Sequence, residues 1–216
     1  SSSNNFADCP SSNPTHHKNT LGEAQNIIQN QMQAGDRILF KKGDSWTGRM
    51  SIGGSPAGTP EKPLIISSYG TGERPKIISE AVNGVSTIYI ASYRGTLRGL
   101  EIDGLHLSGG GGGDISHPGV AGNGIEIAYA HDLYNPEVNT ADYIVLKNNL
   151  IEGFWANDVR SAGISLIGNS RYFASINNTL YNNYQNLFMG GGAFNTWVYG
   201  NNFSSSIMST NIFRYS

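Results

Sequence analysis

Carboxylate, imidazole and guanidinium side chains are concentrated in a few polar segments of this chain. A carboxylate or an imidazole can transfer a proton, and an arginine can neutralise an anionic substrate group while a base removes a neighbouring proton. A pair of carboxylates, such as Glu126 and Asp158, can instead serve as the acid and the base of a hydrolytic reaction. The candidate catalytic residues are Glu126, His131, Asp132, Asp158 and Arg160.

Each of these residue types also has an ordinary structural explanation. Asp114 and Asp158 are typical turn residues, and Arg160 could simply pair with Asp158 on the surface. His117 precedes Pro118 in a polar loop. Residue type alone therefore does not choose between chemistry and turn formation, and the elements that carry these residues have to be considered.

The pattern of apolar residues predicts one helix followed by many short strands. The stretch from Leu21 to Ala34 has apolar residues at helical spacing, follows Thr20 as an N-cap and stops at Gly35. From Arg37 onward, short apolar runs are separated by Gly, Asn, Ser and Pro, which is typical of an all-β protein. The runs are 37–40, 64–66, 87–90, 97–102, 124–127, 143–146, 163–166 and 195–199.

A strand that ends in a polar pair recurs along the chain. The pairs Asn148-Asn149 and Asn201-Asn202 are each followed at once by an apolar residue, Asn177-Asn178 is followed by Thr179 and Leu180, and Asp103-Gly104 is a variant of the same phrase. Steps of 29 residues from Asn149 to Asn178 and of 24 from Asn178 to Asn202 predict a stacked solenoid with three short strands per turn. Asn at a recurring corner can form a hydrogen-bonded ladder and tolerates the left-handed conformation.

Two phrases near the front of the chain, 35–46 (GDRILFKKGDSW) and 63–72 (PLIISSYGTG), resemble the N-terminal part of secreted right-handed parallel β-helix proteins. Together with the Asn-Asn coils, they resemble the pectate-lyase-like superfamily. The resemblance implies a polar segment at 1–20, a capping helix at 21–36 that shields the open solenoid edge, and a parallel β-helix at 37–216. No C-terminal cap is visible in the sequence, so we expect either a fragment or an end covered by another chain.

Aligning the coils predicts an outward row of side chains on one strand face. Strand alternation places Tyr89, Glu126, Ser165, Phe188 and Phe213 in that row. The resemblance implies that this face carries the saccharide groove in polysaccharide-active members, and aromatic rings suit the CH faces of sugars. Phe188 and Phe213 could equally pack beneath a loop or a neighbouring subunit. The candidate substrate-binding residues are Tyr89, Asp114, His117, Trp155, Phe188 and Phe213.

The composition excludes some partners and favours an extracellular setting. With 14 basic and 16 acidic residues and no basic cluster, the chain lacks the charge pattern of a nucleic-acid binder. No apolar run is long enough to span a membrane. The surface relies on Asn, Ser, Thr and Gly, as is common outside the cell or on its surface. Asn177 and Asn202 stand in glycosylation sequons, and the lone Cys9 has no partner for an internal disulfide.

Two functions remain open at this point. The superfamily contains lyases, hydrolases, tailspikes and adhesins, so the fold does not decide the activity. One hypothesis is lyase-type or hydrolase-type cleavage of a polysaccharide in the strand-face groove. The other is a structural or adhesive subunit of an extracellular fibre that self-associates through the uncapped solenoid end. No cofactor is assigned by the sequence, although Ca²⁺ bound by Asp and Asn oxygens of the long loops is conceivable.

Overall fold

A computed structural model shows an all-β solenoid preceded by one helix. It describes residues 9–10, 17–53, 58–80, 84–92, 97–111, 119, 122–129, 141–155, 161–167, 170–190, 195–204 and 212–214. The elements are α1 (Leu21–Asn30), β1 (Arg37–Lys41), β2 (Ser45–Thr47), β3 (Met50–Gly53), β4 (Leu64–Tyr69), β5 (Lys76–Ile78), β6 (Ile88–Ser92), β7 (Leu97–Asp103), β8 (His106–Ser108), β9 (Ile125–Tyr129), β10 (Ala141–Lys147), β11 (Leu150–Glu152), β12 (Ala162–Ile167), β13 (Phe173–Ile176), β14 (Thr179–Tyr181), β15 (Gln185–Gly190), β16 (Trp197–Tyr199), β17 (Asn202–Ser204) and β18 (Ile212–Arg214).

The strands form three parallel sheets of six strands each. Sheet A has the order β1-β4-β7-β10-β13-β16, sheet B the order β2-β5-β8-β11-β14-β17, and sheet C the order β3-β6-β9-β12-β15-β18. Successive strands of the chain therefore visit A, B and C in turn, and each coil lies beside the next. This arrangement confirms the predicted parallel β-helix with three strands per coil.

Apolar side chains from all three sheets meet inside the coils. On sheet C, for example, Ile88, Ile90, Ile125 and Ile127 are buried, while the residues between them are only partly buried. Because successive side chains of a strand point to opposite faces, one face of every sheet supplies the core. Burial of such a side chain contributes about 1.5–3 kcal/mol, so stacked coils are held together mainly by these columns.

The N-terminal helix is confirmed but is shorter than predicted. Thr20 and Glu23 form a capping box at its start, and the helix ends at Asn30 instead of Ala34. A turn in which the Asp36 carboxylate accepts the Gln33 N–H (2.7 Å) redirects the chain into β1, which explains the earlier end.

The helix lies along the outer edge of sheet C. The Gln25 side chain accepts the Ser51 N–H (2.7 Å), and the Gln29 side chain donates to the Ser51 carbonyl (2.8 Å). Ser51 belongs to β3, the first strand of sheet C in the order above and one of its two edge strands. Two glutamines thus satisfy backbone groups at an edge that another strand would otherwise pair with.

The predicted asparagine ladder is present at the corner between sheets A and B, which we call the ladder corner. It consists of Leu105, Asn149, Asn178 and Asn201. The Asn149 and Asn178 amide groups each donate to the side-chain oxygen of the next ladder asparagine, both at 3.0 Å. The last member is Asn201 and not Asn202, because the step from Asn178 is 23 residues. A left-handed residue precedes each member, namely Gly104, Asn148, Asn177 and Gly200.

Candidate functional site

The outward row on sheet C is present for four of the five predicted residues. The strand register places Tyr89 beside Glu126, Glu126 beside Ser165, and Ser165 beside Phe188. Tyr89, Glu126 and Phe188 are partly exposed, and Ser165 is buried between its neighbours. At about 4.8 Å between strands, the row from Tyr89 to Phe188 spans about 14 Å. We call this row, from Tyr89 to Phe188, the sheet C row.

Phe213 does not belong to this row. Its backbone pairs with Met189, and Ile212 is the residue beside Phe188. The sequence alignment was therefore one residue out of step in this coil, because the number of residues from the ladder corner to the paired position of sheet C differs from that in the coil before it. One residue of slip exchanges the two faces of a strand.

Glu126 is held in place by two polar side chains at the start of the strands. Its Oε2 accepts a hydrogen bond from the Ser86 hydroxyl and another from the Asn123 amide (2.9 Å). Ser86 is itself buried. Oε1 makes no hydrogen bond with the residues that the structure describes. The carboxylate is thus fixed through one oxygen on a partly exposed face.

The ends of two long loops meet beside Glu126. The Gly122 N–H donates to the Ser161 hydroxyl (3.1 Å), and the Ala162 N–H donates to the Asn123 side-chain oxygen (2.8 Å). The prediction that the segments 108–122 and 154–161 approach the same strand face is supported by these contacts at their ends. Six of the predicted site residues lie outside the described residues, namely Asp114, His117, His131, Asp132, Asp158 and Arg160.

Trp155 is buried, which corrects the expectation that it lines a binding surface. Only 3% of it is exposed, next to the fully buried Phe154. Its indole N–H has no hydrogen-bond partner among the described residues. With so little of its surface exposed, Trp155 does not offer a ring to a ligand in this conformation.

Two glycines of the run that follows β8, and Gly119 further along the chain, are packed tightly against Gly153, whereas a Cβ on Gly110 would meet nothing within 4 Å. A Cβ on Gly109 would lie 2.5 Å from the Gly153 carbonyl, and one on Gly119 would lie 1.9 Å from the same oxygen. Gly111 donates its N–H to that carbonyl (3.1 Å). Close backbone approach, rather than the flexibility of a linker or lid, explains why glycine occupies these three positions.

A second titratable cluster, on the outer face of sheet B, was not predicted. The Glu152 carboxylate lies 2.9 Å from the His106 ring and 3.7 Å from the Lys76 ammonium. Hydrogen bonds from His106 above all, and also from Tyr181 and Ser108, lower the pKa of Glu152 to about 2. The hydrogen bond between Tyr181 and Glu152 also raises the pKa of Tyr181 to about 12. We call this the Glu152 cluster.

A sequence signal for the Glu152 cluster does exist. Ser108, Glu152 and Tyr181 each stand three residues after a member of the ladder corner, so the register stacks them in one column. The strands that carry them have three residues each, too few for a periodic pattern to be noticed. The ladder, once recognised, is the feature that brings them together.

The remaining predictions about modification and metals are not decided by the structure. Asn177 and Asn202 are both exposed, and Asn177 has a left-handed conformation, so their glycosylation stays a prediction. Within the described ranges, no three His, Cys, Asp or Glu side chains are grouped closely enough to hold a metal, and Ca²⁺ binding in the undescribed loops stays a prediction. Cys9 is a free thiol. In the described part of the chain, no helix combines the length and apolarity required to cross a bilayer.

Comparison with known proteins identifies the fold and not the activity. No protein-family profile matches the chain, and no curated protein matches it. A GH136 lacto-N-biosidase from Eubacterium ramulus has a similar structure, with a TM-score of 0.59 and 15% identity over 86% of this chain. An alginate lyase from Paenibacillus sp. str. FPU-7 aligns with a TM-score of 0.33 and 13% identity over 87% of this chain and 94% of its own. The match spans 37% of the lacto-N-biosidase chain.

Proposed function

We propose that this chain is an extracellular carbohydrate-active protein that binds a polysaccharide along the sheet C row and cleaves it with Glu126 as a proton-transferring group. The observation that carries the proposal is the row itself. It places two partly exposed aromatic rings, Tyr89 and Phe188, on either side of a fixed carboxylate. The similar fold of a lacto-N-biosidase is consistent with such a use but does not assign it.

Binding along the sheet C row depends on the aromatic residues at its two ends. The apolar faces of sugar rings pack on aromatic side chains, whereas their hydroxyl groups hydrogen bond with polar neighbours. Tyr89 and Phe188 stand about 14 Å apart with Glu126 and Ser165 between them. An extended saccharide lying across the strands would therefore contact a ring at each end and the carboxylate near its middle.

Catalysis in this proposal uses the oxygen of Glu126 that makes no hydrogen bond with described residues. Ser86 and Asn123 hold Oε2, so the orientation of the carboxyl group is fixed before a substrate arrives. Oε1 can then give a proton to a glycosidic oxygen or take one from the sugar ring. The first step belongs to hydrolysis, with a second carboxylate such as Asp158 as base, and the second to lyase-type elimination from a uronide.

The test compares two identical substitutions on two different sheets. Glu126→Gln should lower turnover by about 10²-fold to 10⁴-fold. Glu152→Gln, the matched control on sheet B, should stay within about twofold at neutral pH. Neutral and uronate-containing polysaccharides are offered in parallel, and new reducing ends are measured together with the ultraviolet absorbance of unsaturated products. Absorbance identifies elimination, and reducing ends without absorbance identify hydrolysis.

Two results would contradict the proposal. Equal turnover by the wild type and the Glu126→Gln variant would remove Glu126 from the chemistry. Absence of turnover on the whole panel, with filaments seen by electron microscopy, would support the alternative of a fibre subunit. Phe188→Ala gives a finer measurement, because loss of a binding ring should raise KM more than it lowers kcat.

A further inference from the structure

The corner between sheets C and A contains an unusual column of left-handed residues. Counting back from the paired positions of sheet A, Gly99, Tyr143, Tyr172 and Asn195 occupy the same place in four consecutive coils. All four have positive φ, between 52° and 68°. Glycine and asparagine are common in this conformation, but for a bulky residue it is a true outlier that costs about 1–2 kcal/mol.

The two tyrosines of this column form a parallel stack. Their ring centroids are 4.4 Å apart and the ring planes differ by 10°. Tyr172 is 45% exposed, so one tyrosine of the stack presents a large surface to solvent. Backbone strain held at two successive coils, with an exposed aromatic surface as its result, is more typical of a functional site than of a structural corner.

A buried carboxylate next to the stack holds two arginines. Asp142 has only 3% of its side chain exposed, and its Oδ2 lies 3.9 Å from Nε of Arg98 and 3.6 Å from Nε of Arg171. The Arg171 N–H also donates to Asp142 Oδ1 (3.1 Å). The Arg98 and Arg171 side chains remain 55% and 34% exposed. Among the described residues, this group contains two guanidinium cations and one carboxylate, which gives it a net positive charge beside the rings.

We infer that this tyrosine corner (Arg98, Asp142, Tyr143, Arg171 and Tyr172) is a second saccharide-binding site, one that takes a pyranose ring bearing a carboxylate. The exposed tyrosine surface packs on the CH face of the ring, and the guanidinium groups hold the carboxylate. Arginine suits this purpose because its planar fork matches a carboxylate, and the buried Asp142 keeps both guanidinium groups within ion-pair distance of one point. The site is separate from the sheet C row and does not rest on the proposed cleavage.

The experiment measures binding of a galacturonate oligomer by isothermal titration calorimetry. The fully methyl-esterified oligomer of the same length serves as the uncharged probe. Tyr172→Asn keeps a residue that tolerates positive φ and removes the ring, and Arg98→Gln removes one charge. Each should weaken binding of the galacturonate oligomer by about tenfold or more. Added salt should weaken binding to the wild type more than to Arg98→Gln.

Two controls locate the binding on the molecule. Tyr199→Asn removes another aromatic residue of sheet A, which is 73% exposed and stands four residues, about 13 Å, along the strand direction from the column of the tyrosine corner. This variant should change the affinity by less than about twofold. Glu152→Gln, on sheet B, should bind as the wild type does. Melting temperatures verify that each variant is folded.

Several outcomes would overturn the inference. These are no binding by the wild type, equal binding of the methyl ester, unchanged binding by both Tyr172→Asn and Arg98→Gln, or loss of binding in Glu152→Gln. The last result would assign the bound anion to the Glu152 cluster on sheet B instead. Failure of the tyrosine corner leaves the turnover test untouched, because that test reads product formation and not affinity.

Discussion

The two sides of this solenoid use polar residues in opposite ways. On one side, the ladder corner and the Glu152 cluster have polar groups whose partners come from adjacent coils of the same chain. On the other side, the sheet C row and the tyrosine corner present rings, a carboxylate and guanidinium groups that are partly exposed. We call these the closed side and the open side.

The contrast between the two sides is clearest at the two corners that share a left-handed backbone conformation. Both corners place a left-handed residue in successive coils, but the ladder corner uses Gly and Asn, whereas the tyrosine corner uses Tyr twice. Asn adopts this conformation at little cost, and Tyr does not. Because Gly or Asn would adopt the left-handed conformation with less strain than Tyr, the presence of Tyr at these positions indicates a role other than folding. Substitutions on the closed side should therefore change stability, and those on the open side should change binding or turnover.

The largest effect is expected for Asn178→Leu at the centre of the ladder. The substitution leaves the Asn149 N–H and the Leu146 carbonyl without their partners inside the protein. Since each buried unsatisfied group costs about 1–3 kcal/mol, the free energy of unfolding should fall by about 3–5 kcal/mol. Urea unfolding measures this value. Asn177→Gly, at the exposed left-handed neighbour, is the control and should change it by less than about 0.5 kcal/mol. An unfolding free energy of Asn178→Leu equal to that of the wild type would contradict the distinction between the closed and the open side.

A smaller effect is expected from acid, through the Glu152 cluster. The pKa of Glu152 is about 2 in the folded protein, below the ordinary value of 4.5. A lowered pKa stabilises the fold above about pH 4.5, and this contribution is lost as the pH falls from about 5 to 2. Allowing for solvent screening, we expect a loss of about 1–2 kcal/mol.

The Glu152→Gln variant separates this contribution from general acid effects. Its unfolding free energy should be lower than that of the wild type at pH 6 and should converge with it near pH 2. Parallel curves over this range would show that Glu152 does not stabilise the fold through its charge.

The smallest effect on stability is expected for Tyr172→Asn. Relief of the left-handed backbone and loss of the ring stack act in opposite directions and are of similar size. The free energy of unfolding should stay within about 1 kcal/mol of the wild type, as measured by urea unfolding. A loss as large as that of Asn178→Leu would place the tyrosine corner on the closed side after all.

The longer strands and the ladder could be predicted from sequence because both repeat. Runs such as 124–127 and 163–166 alternate apolar residues with Gly or polar residues, and the Asn pairs mark one corner in successive coils. The three-residue strands of sheet B were missed, since three residues carry no period. Phe213 was misplaced because loop lengths between coils vary, and a register slip of one residue reverses the face.

The candidate sites were harder to predict than the fold. Glu126 was found by alignment of coils, which depends only on local repeats. The tyrosine corner could not be found in this way, because propensity argues against Tyr with positive φ and the sequence of residues 142 and 143 looks like an ordinary strand. The exposure of Trp155 was predicted wrongly, because the sequence around an aromatic residue next to a polar loop does not show whether its ring is buried or exposed.

The uneven spacing of the ladder has a consequence for how this fold can change. Consecutive ladder members are separated by 44, 29 and 23 residues, yet the three residues that follow each member pair in constant register. All variation in coil length is therefore absorbed at the other two corners. Insertions and deletions there alter the loops around the sheet C row without shifting the hydrogen bonds of the ladder. The ladder corner therefore keeps the coils in register, while the lengths of the segments at the other two corners can change.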